Sequence, residues 1–233
     1  MKYYSNEYWD IGQREANEDS VLIAHVGTPS GQIIMGAVAD GIGGLSLGHI
    51  ASGYILEELS TCFYEEIVPL IIAHKKRSMI VRSIKRCLYG INSELRNYSD
   101  KKNILLGSTL SMILLYRKKY IFVHLGDSGI YRCNEKSMKM ITQMHTSESG
   151  GVTKCIGSFG YMEPDVGFGK VKGKTGFLLS TDGYYKGMKE ESDFWNPRQM
   201  ISDRIIEKRL AEMGRVVSQT QTDNAGAIYI NCV

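Results

Sequence analysis

The feature that most constrains this chain is an apolar run, Ile33 to Ala39 with one glycine, that stops abruptly at Asp40-Gly41. Such a run reads as a fully buried strand. A carboxylate at the end of a core strand is held rigidly, and a glycine beside it lets a ligand or metal approach the backbone. The arrangement recurs at Leu125-Gly126-Asp127-Ser128, Leu179-Ser180-Thr181-Asp182-Gly183 and Thr222-Asp223-Asn224. Taken singly, an Asp-Gly or Asp-Ser after a strand is more often a turn than a ligand. Four of them suggest one shared site, and divalent metal is the chemistry it would serve.

At 233 residues the chain suits one domain, 1–233, with a full core, and is short for two. Its 43% hydrophobic and 23% charged residues are those of an ordinary soluble protein. A net charge of +3 is too small to argue for nucleic acid. No apolar run approaches the roughly 18 residues needed to span a bilayer, so no membrane partner is expected. Met1-Lys2-Tyr3-Tyr4 opens onto polar residues rather than a signal-peptide core, which points to a cytoplasmic location. The five cysteines (Cys62, Cys87, Cys133, Cys155, Cys232) are odd in number, scattered and without a CxxC, so they read as reduced structural thiols. The histidines show no metal-type spacing either. Any metal here is expected to be bound by oxygen.

Residues 1 to 24 read as two strands around the polar segment Gly12 to Asp19. Val21 to Ala24 and Gln32 to Ala39 form a hairpin about Thr28-Pro29-Ser30-Gly31. If both lie in one sheet, Arg14, Glu18 and Asp19 come near Asp40. A helix is expected from Leu45 to about Tyr64, interrupted at Pro69, and a second from about Ser78 to Tyr98. His74-Lys75-Lys76-Arg77 reads as a solvated helix start, with phosphoprotein docking as the lesser alternative. Arg117-Lys118-Lys119 reads as an ordinary charged hairpin tip between strands Ser108–Tyr116 and Tyr120–Leu125. Another hairpin joins Gly129–Cys133 to Met138–Thr142. Residues 143 to 175 read as a long irregular segment with one short element around Cys155 to Ser158. Phe177 to Thr181 is a buried strand, Asn196-Pro197 a helix start leading to about Gly214, and Ala227 to Val233 a last strand. The order is that of an α+β fold with sheets covered by helices.

Hard cations such as magnesium and manganese prefer carboxylate, carbonyl and water oxygens. Two such ions about 4 Å apart can activate a water and stabilise both entering and leaving oxygens of a phosphoryl displacement. Asp40, Asp127, Asp182 and Asp223 suit that work, and the Gly41 carbonyl could add a ligand. Arg14 is the natural phosphate clamp, since guanidinium binds phosphate oxygens bidentately.

The ordered set Arg14-x-x-Asn17-Glu18-Asp19, Val38-Ala39-Asp40-Gly41-x-Gly43-Gly44, Gly107-Ser108-Thr109, Gly126-Asp127-Ser128, Leu178-Leu179-Ser180-Thr181-Asp182-Gly183 and Asp223-Asn224 resembles the metal-dependent type-2C Ser/Thr protein phosphatases. The likeness runs from about residue 10 to the C-terminus. It implies a β-sandwich of two antiparallel sheets flanked by helix pairs, four layers in αββα order, with Mn2+ or Mg2+ at one end. By resemblance, Asp40 bridges two core ions, the Gly41 carbonyl joins one, and Asp182 and Asp223 complete the other. Asp127 with Asp182 belongs to a third, weaker ion of bacterial-type members. Glu18 reaches a metal through water, Asp19 supports it, Arg14 holds the phosphate, and Asn224 orients the Asp223 loop. The implied reaction is direct attack of water on phosphoserine or phosphothreonine without a phosphoenzyme. The implied partners are phosphorylated proteins and a cognate Ser/Thr kinase.

Three positions depart from the family pattern. Ile42 stands where eukaryotic members carry a His and bacterial ones usually Met. Met144 replaces the acid of a Thr-x-Asp-His-Ser segment. The flap that follows is shorter, reaching Ile156-Gly157 after a few residues. His145 reads as structural rather than as a general acid, and Tyr184 and Tyr185 as packing residues rather than groove lining. Two rival readings remain: a phosphatase-fold binding module without activity, and a hydrolase of small phosphoesters.

Overall fold

β3 (Gly31–Gly43) lies at the centre because both of its faces find cover. Ile34 and Val38, with Ile113 and Leu115 of the same sheet, point toward the opposite sheet, where Phe177, Leu179, Ile228 and Ile230 meet them. Ile33, Met35, Ala37 and Ala39, on the alternate face, pack under helices. A strand buried on both sides has no reason to alternate with polar residues, hence the continuous apolar run. The computed structural model describes residues 1–43, 47–157 and 161–233. Gly44, the expected helix start at Leu45, and Ser158 lie outside the described residues.

One antiparallel sheet contains β3, with β2 (Asp19–Thr28), β5 (Leu110–Tyr116), β6 (Lys119–Leu125) and β9 (Asp165–Lys170) in the order β2-β3-β5-β6-β9; β4 (Leu106–Ser108) pairs the end of β3. The other sheet orders β1 (Tyr3–Asp10), β11 (Ala225–Cys232), β10 (Thr175–Ser180), β7 (Gly129–Cys133) and β8 (Met138–Met140). Over the first sheet lie α1 (Gly48–Cys62), a π-helical turn at Phe63–Ile67, α2 (Val68–Ile72) and α3 (Arg77–Lys102). Over the second lie the one-turn α4 (Asp182–Tyr185), α5 (Asp203–Val217) and the buried Trp195. This is the expected αββα layering, one flank being carried mainly by a single long helix. Cys62, Cys133 and Cys232 are buried and Cys87 is half-buried.

Several local expectations change. Pro69 does not interrupt the first helix. The wide π-helical turn before it spares the clash its ring would make in a regular α-helix, and the helical path continues to Ile72. Asn196-Pro197 starts a turn rather than a helix, with Asn196 Oδ1 accepting from Arg198 N at 3.0 Å. The helix begins later, capped by Ser202, whose Oγ accepts from Ile205 N. The segment 143–175 contains β9, a full edge strand paired to β6. Its glycines hid it. A Cβ at Gly167 would fall 2.1 Å from the Phe122 ring, and one at Gly169 2.5 Å from the Tyr120 hydroxyl, so the aromatic neighbours demand bare backbone there.

Candidate metal centre

Pairing of β2 with β3 sets Asp19 directly opposite Asp40. The chain then bends: β3 leaves β5 after Val38 and picks up β4 at Gly41. Thr109, between those two partner strands, closes the gap by binding Asp40 twice. Its Oγ1 accepts from Asp40 N at 3.0 Å, and its N–H donates to Asp40 O at 2.9 Å. Ser108 Oγ donates to the same carbonyl, and Ser128 Oγ reaches Thr109 Oγ1 at 2.7 Å. The Asp40 backbone is therefore clamped by Ser108 and Thr109, and Ser128 of the Asp127 loop braces Thr109.

Gly41 must be glycine, because a Cβ there would fall 2.3 Å from the Gly48 backbone at the start of α1. Glu18 spans the same junction. Its carbonyl accepts from Gly41 N and from Ser52 Oγ, and its Oε1 accepts from Gly48 N at 2.9 Å. Asn224 ties in the fourth acid loop: Nδ2 donates to the carbonyls of Ile11 and Ala16, and Oδ1 accepts from Glu18 N. Thr181, just before Asp182, donates to Asp19 Oδ2 at 2.6 Å.

These contacts bring five carboxylates to one end of the sandwich. Asp19 and Asp127 are buried, whereas Asp40, Asp182 and Asp223 are partly exposed. Removal from water holds the Asp40 carboxyl well above the usual range, reinforced by the charges of Asp19, Asp182, Asp127 and Asp223. Burial likewise raises Asp19 to about 7, against the pull of the Thr181 hydrogen bond. Asp127 is raised by burial and then by Asp182, and its Oδ1 is buried without a hydrogen-bond partner.

The remaining acids recruit cations. Lys186, one helical turn after Asp182, lies 2.7 Å from its Oδ2, and that bond raises the lysine. Arg14 lies 3.0 Å from Asp223 Oδ2. A cleft of about 550 Å³ collects Arg14, Glu18, Asp40, Gly41, Ile42 and Asp223, and Asp127 and Asp182 fall outside its lining. Among the described residues no three His, Cys, Asp or Glu side chains already converge on a single point. The donor set nevertheless fits hard divalent cations: all oxygen, with an orphaned carboxylate oxygen and an excess of mutually repelling acids that bound positive charge would offset.

Every acid read from the sequence lies at this end. Thr109, Ser128 and Lys186 carry roles that the sequence did not suggest, although the Asp182–Lys186 spacing of four on a helical turn was a usable signal. Tyr184 is buried and donates to Leu210 O, as a packing residue should. Tyr185 is only half-buried, and burial, then Asp127 and Asp182, push it up to about 12, which sets it beside the acids rather than purely in the core. His145 accepts from Gly126 N at Nδ1, holds Asp165 at Nε2 and stacks on His124.

The family model of protein phosphatase 2C matches residues 10–213. No curated protein matches the chain. Among solved structures, the fold is similar to that of the serine/threonine phosphatase Stp1 from Staphylococcus aureus, at a TM-score of 0.84 and 20% identity over 100% of this chain and 96% of that one. The S. agalactiae serine/threonine phosphatase matches at 0.81 and 19%, covering 98% and 99% of the two chains. The catalytic domain of the phosphatase PstP, crystallised with two manganese ions, matches at 0.77 and 19%, covering 98% and 97%.

Proposed function

The chain belongs to the protein phosphatase 2C family, and we propose that it hydrolyses phosphoserine and phosphothreonine in proteins, using manganese or magnesium held at the acidic end of the sandwich. One observation carries this reading: Asp19 and Asp40 face each other across two strands, with Asp127, Asp182 and Asp223 near enough to raise the Asp40 carboxyl. Asp40, the Gly41 carbonyl, Asp182 and Asp223 are the groups that would hold two core ions, with Asp127 and Asp182 offering a third position. When bound, such ions lower the pKa of water and offset charge developing on the phosphoryl oxygens. PstP, with its two manganese ions, supports that choice of metal.

The chain's own residues supply binding and order. Arg14 is exposed and its pair with Asp223 is a surface ion pair, which is weak enough for the guanidinium to turn to a phosphate dianion. Glu18 fixes α1 against Gly41, and Asn224 fixes the Asp223 loop, so the acids are positioned before substrate arrives. Attack of a water oxygen on phosphorus breaks the bond to the serine or threonine oxygen, which takes up a proton, and inorganic phosphate leaves. The substrate implied is a phosphoprotein and the partner a Ser/Thr kinase whose products are reversed. Residues 1–233 act as one domain in this reading, and among the described residues no helix is long and apolar enough to cross a membrane.

The test is release of phosphate from p-nitrophenyl phosphate and from a phosphothreonine peptide, with manganese titrated from zero and EDTA as control. Manganese-dependent release from both, lost in Asp182→Asn, is expected. Arg14→Ala should mainly raise KM, and an unchanged KM would make Arg14 structural. Release from the small ester alone would favour a small-phosphoester hydrolase. No release from folded protein at any metal concentration would favour a binding module.

A further inference from the structure

Three basic segments that look unremarkable in sequence meet at the end of the sandwich opposite the acids. Tyr116 pairs Ile33 and Lys119 pairs Lys170, so the β5–β6 tip and the end of β9 share the pole at which β3 begins. Seven residue steps along β3 lead from Ile33 to Asp40, roughly 23 Å at the rise of a strand. The Arg117 guanidinium of that tip lies against the His74 ring, Nη1 2.7 Å from Nδ1 and Nη2 3.2 Å from Nε2, donates to the one nitrogen that carries no proton, and so brings in the α2–α3 loop. Each of three segments, 74–77, 117–119 and 170–174, contributes three Lys or Arg and no acid. Among the described residues none of these cations joins an ion pair. The neighbouring acids Glu66 and Glu163 are held instead by Arg86 and Lys85.

The backbone supplies a second, independent sign. The described non-glycine residues with positive φ are His74, Asn103, Arg117 and Lys118, and all but Asn103, which caps α3, lie in this cluster. A two-residue hairpin turn with positive φ at both positions ordinarily takes Asn-Gly. Arg117 and Lys118 occupy it here with φ of 47° and 60°. Long cations retained in a conformation that costs them energy point to a use for the charge.

Large apolar side chains stand exposed beside these segments: Ile72 at 52% and Met79 at 44% flank residues 74–77 in the chain, and Phe168, at 54%, precedes Lys170 on β9. The Arg77 guanidinium lies 3.4 Å from the Phe168 ring centroid. An acidic protein segment needs only the charge. Cations interleaved with exposed aromatic and aliphatic side chains fit a surface that is anionic outside and apolar just beneath. We propose that this basic end docks on the anionic headgroups of a phospholipid bilayer and holds the acidic cleft away from it. The sequence, searched for spanning segments, could not disclose a peripheral contact assembled from three loops.

The test is cosedimentation of the full chain with vesicles of phosphatidylglycerol and phosphatidylcholine, against phosphatidylcholine alone. Binding to the anionic vesicles only, lost at high salt, is expected. Lys118→Glu/Lys119→Glu and, separately, Lys75→Glu/Lys76→Glu should each weaken it by more than roughly tenfold, with thermal melting and any phosphatase turnover unchanged. Phe168→Ser, which leaves the charge alone, should weaken it as well. Equal binding to both vesicle types, or charge-reversed variants that bind as wild type, overturns the proposal. Capture of a poly-glutamate peptide without vesicle binding also overturns it, in favour of an acidic protein partner. These outcomes do not depend on whether the acidic end is active.

Discussion

The two ends of the sandwich gather charge of one sign and handle it in opposite ways. At the acidic end, burial comes first: Asp19 and Asp127 have left water, and the carboxyls of Asp19, Asp40 and Asp127 hold protons more tightly as a result. Like charges withdrawn from solvent call for a counter-charge, and Lys186 and Arg14 answer part of that demand. At the basic end the cations project into water, where solvation and salt screen them. Their cost appears in the backbone instead, in the left-handed residues His74, Arg117 and Lys118. Clustered charge therefore implies a bound ion only where the protein has displaced the solvent.

The sharpest way to break this contrast is Asp40→Asn. Turnover should fall by at least roughly a thousandfold, about 4 kcal/mol of barrier, while the metal-free protein melts no lower because one of several mutually repelling acids is gone. Turnover within tenfold of wild type, read by phosphate release, would mean that the acids repel without serving the chemistry.

A neutral group under the acidic end offers the next test. His124 is buried and donates from Nε2 to Gln143 O at 2.9 Å, leaving Nδ1 as an acceptor 2.9 Å from Ser111 Oγ, whose one proton is shared with Ser128 O. Burial lowers it to about 4. A folded pKa below the unfolded one contributes stability that is complete above about 6.5 and is lost as pH falls toward 4, up to about 3 kcal/mol. The stability difference between wild type and His124→Asn, from denaturant melts, should shrink over that window. A flat difference would mean that His124 is already charged.

Manganese at about a hundred times its dissociation constant should raise stability by between 2 and 3 kcal/mol. Asp40→Asn should abolish that gain and Lys118→Glu/Lys119→Glu should leave it intact; a gain that survives the first variant would move the ion elsewhere. The smallest effect sharpens the basic end. Lys118→Gly relieves a left-handed residue and should stabilise by up to about 1 kcal/mol. A drop in melting temperature would mean that the lysine is held by contacts rather than tolerated for its charge.

Much of the acidic end was legible in the sequence because its signals are local. An apolar run stopped by Asp-Gly announces a buried strand with a carboxylate at its tip, and the four such endings in this chain come together at one end of the sandwich. The work of Thr109 is not legible in its motif, because it binds Asp40 across a strand break that only the register of β3 against β4 and β5 creates. Gly167 and Gly169 concealed β9 for the same reason, since the rings that require them lie on the neighbouring β6.

By itself, then, the sequence determined the α+β class, the burial of β3 and the oxygen-only chemistry of the acids, for each follows from residue type and short-range period. Only the tertiary structure decided that Asp19 faces Asp40, that Arg14 and Lys186 share in neutralising the acids, and that three basic segments form one end. Those arrangements depend on which strands pair and in what register. Register is set by the summed packing of alternate side chains across residues far apart in the chain, which no local pattern can record.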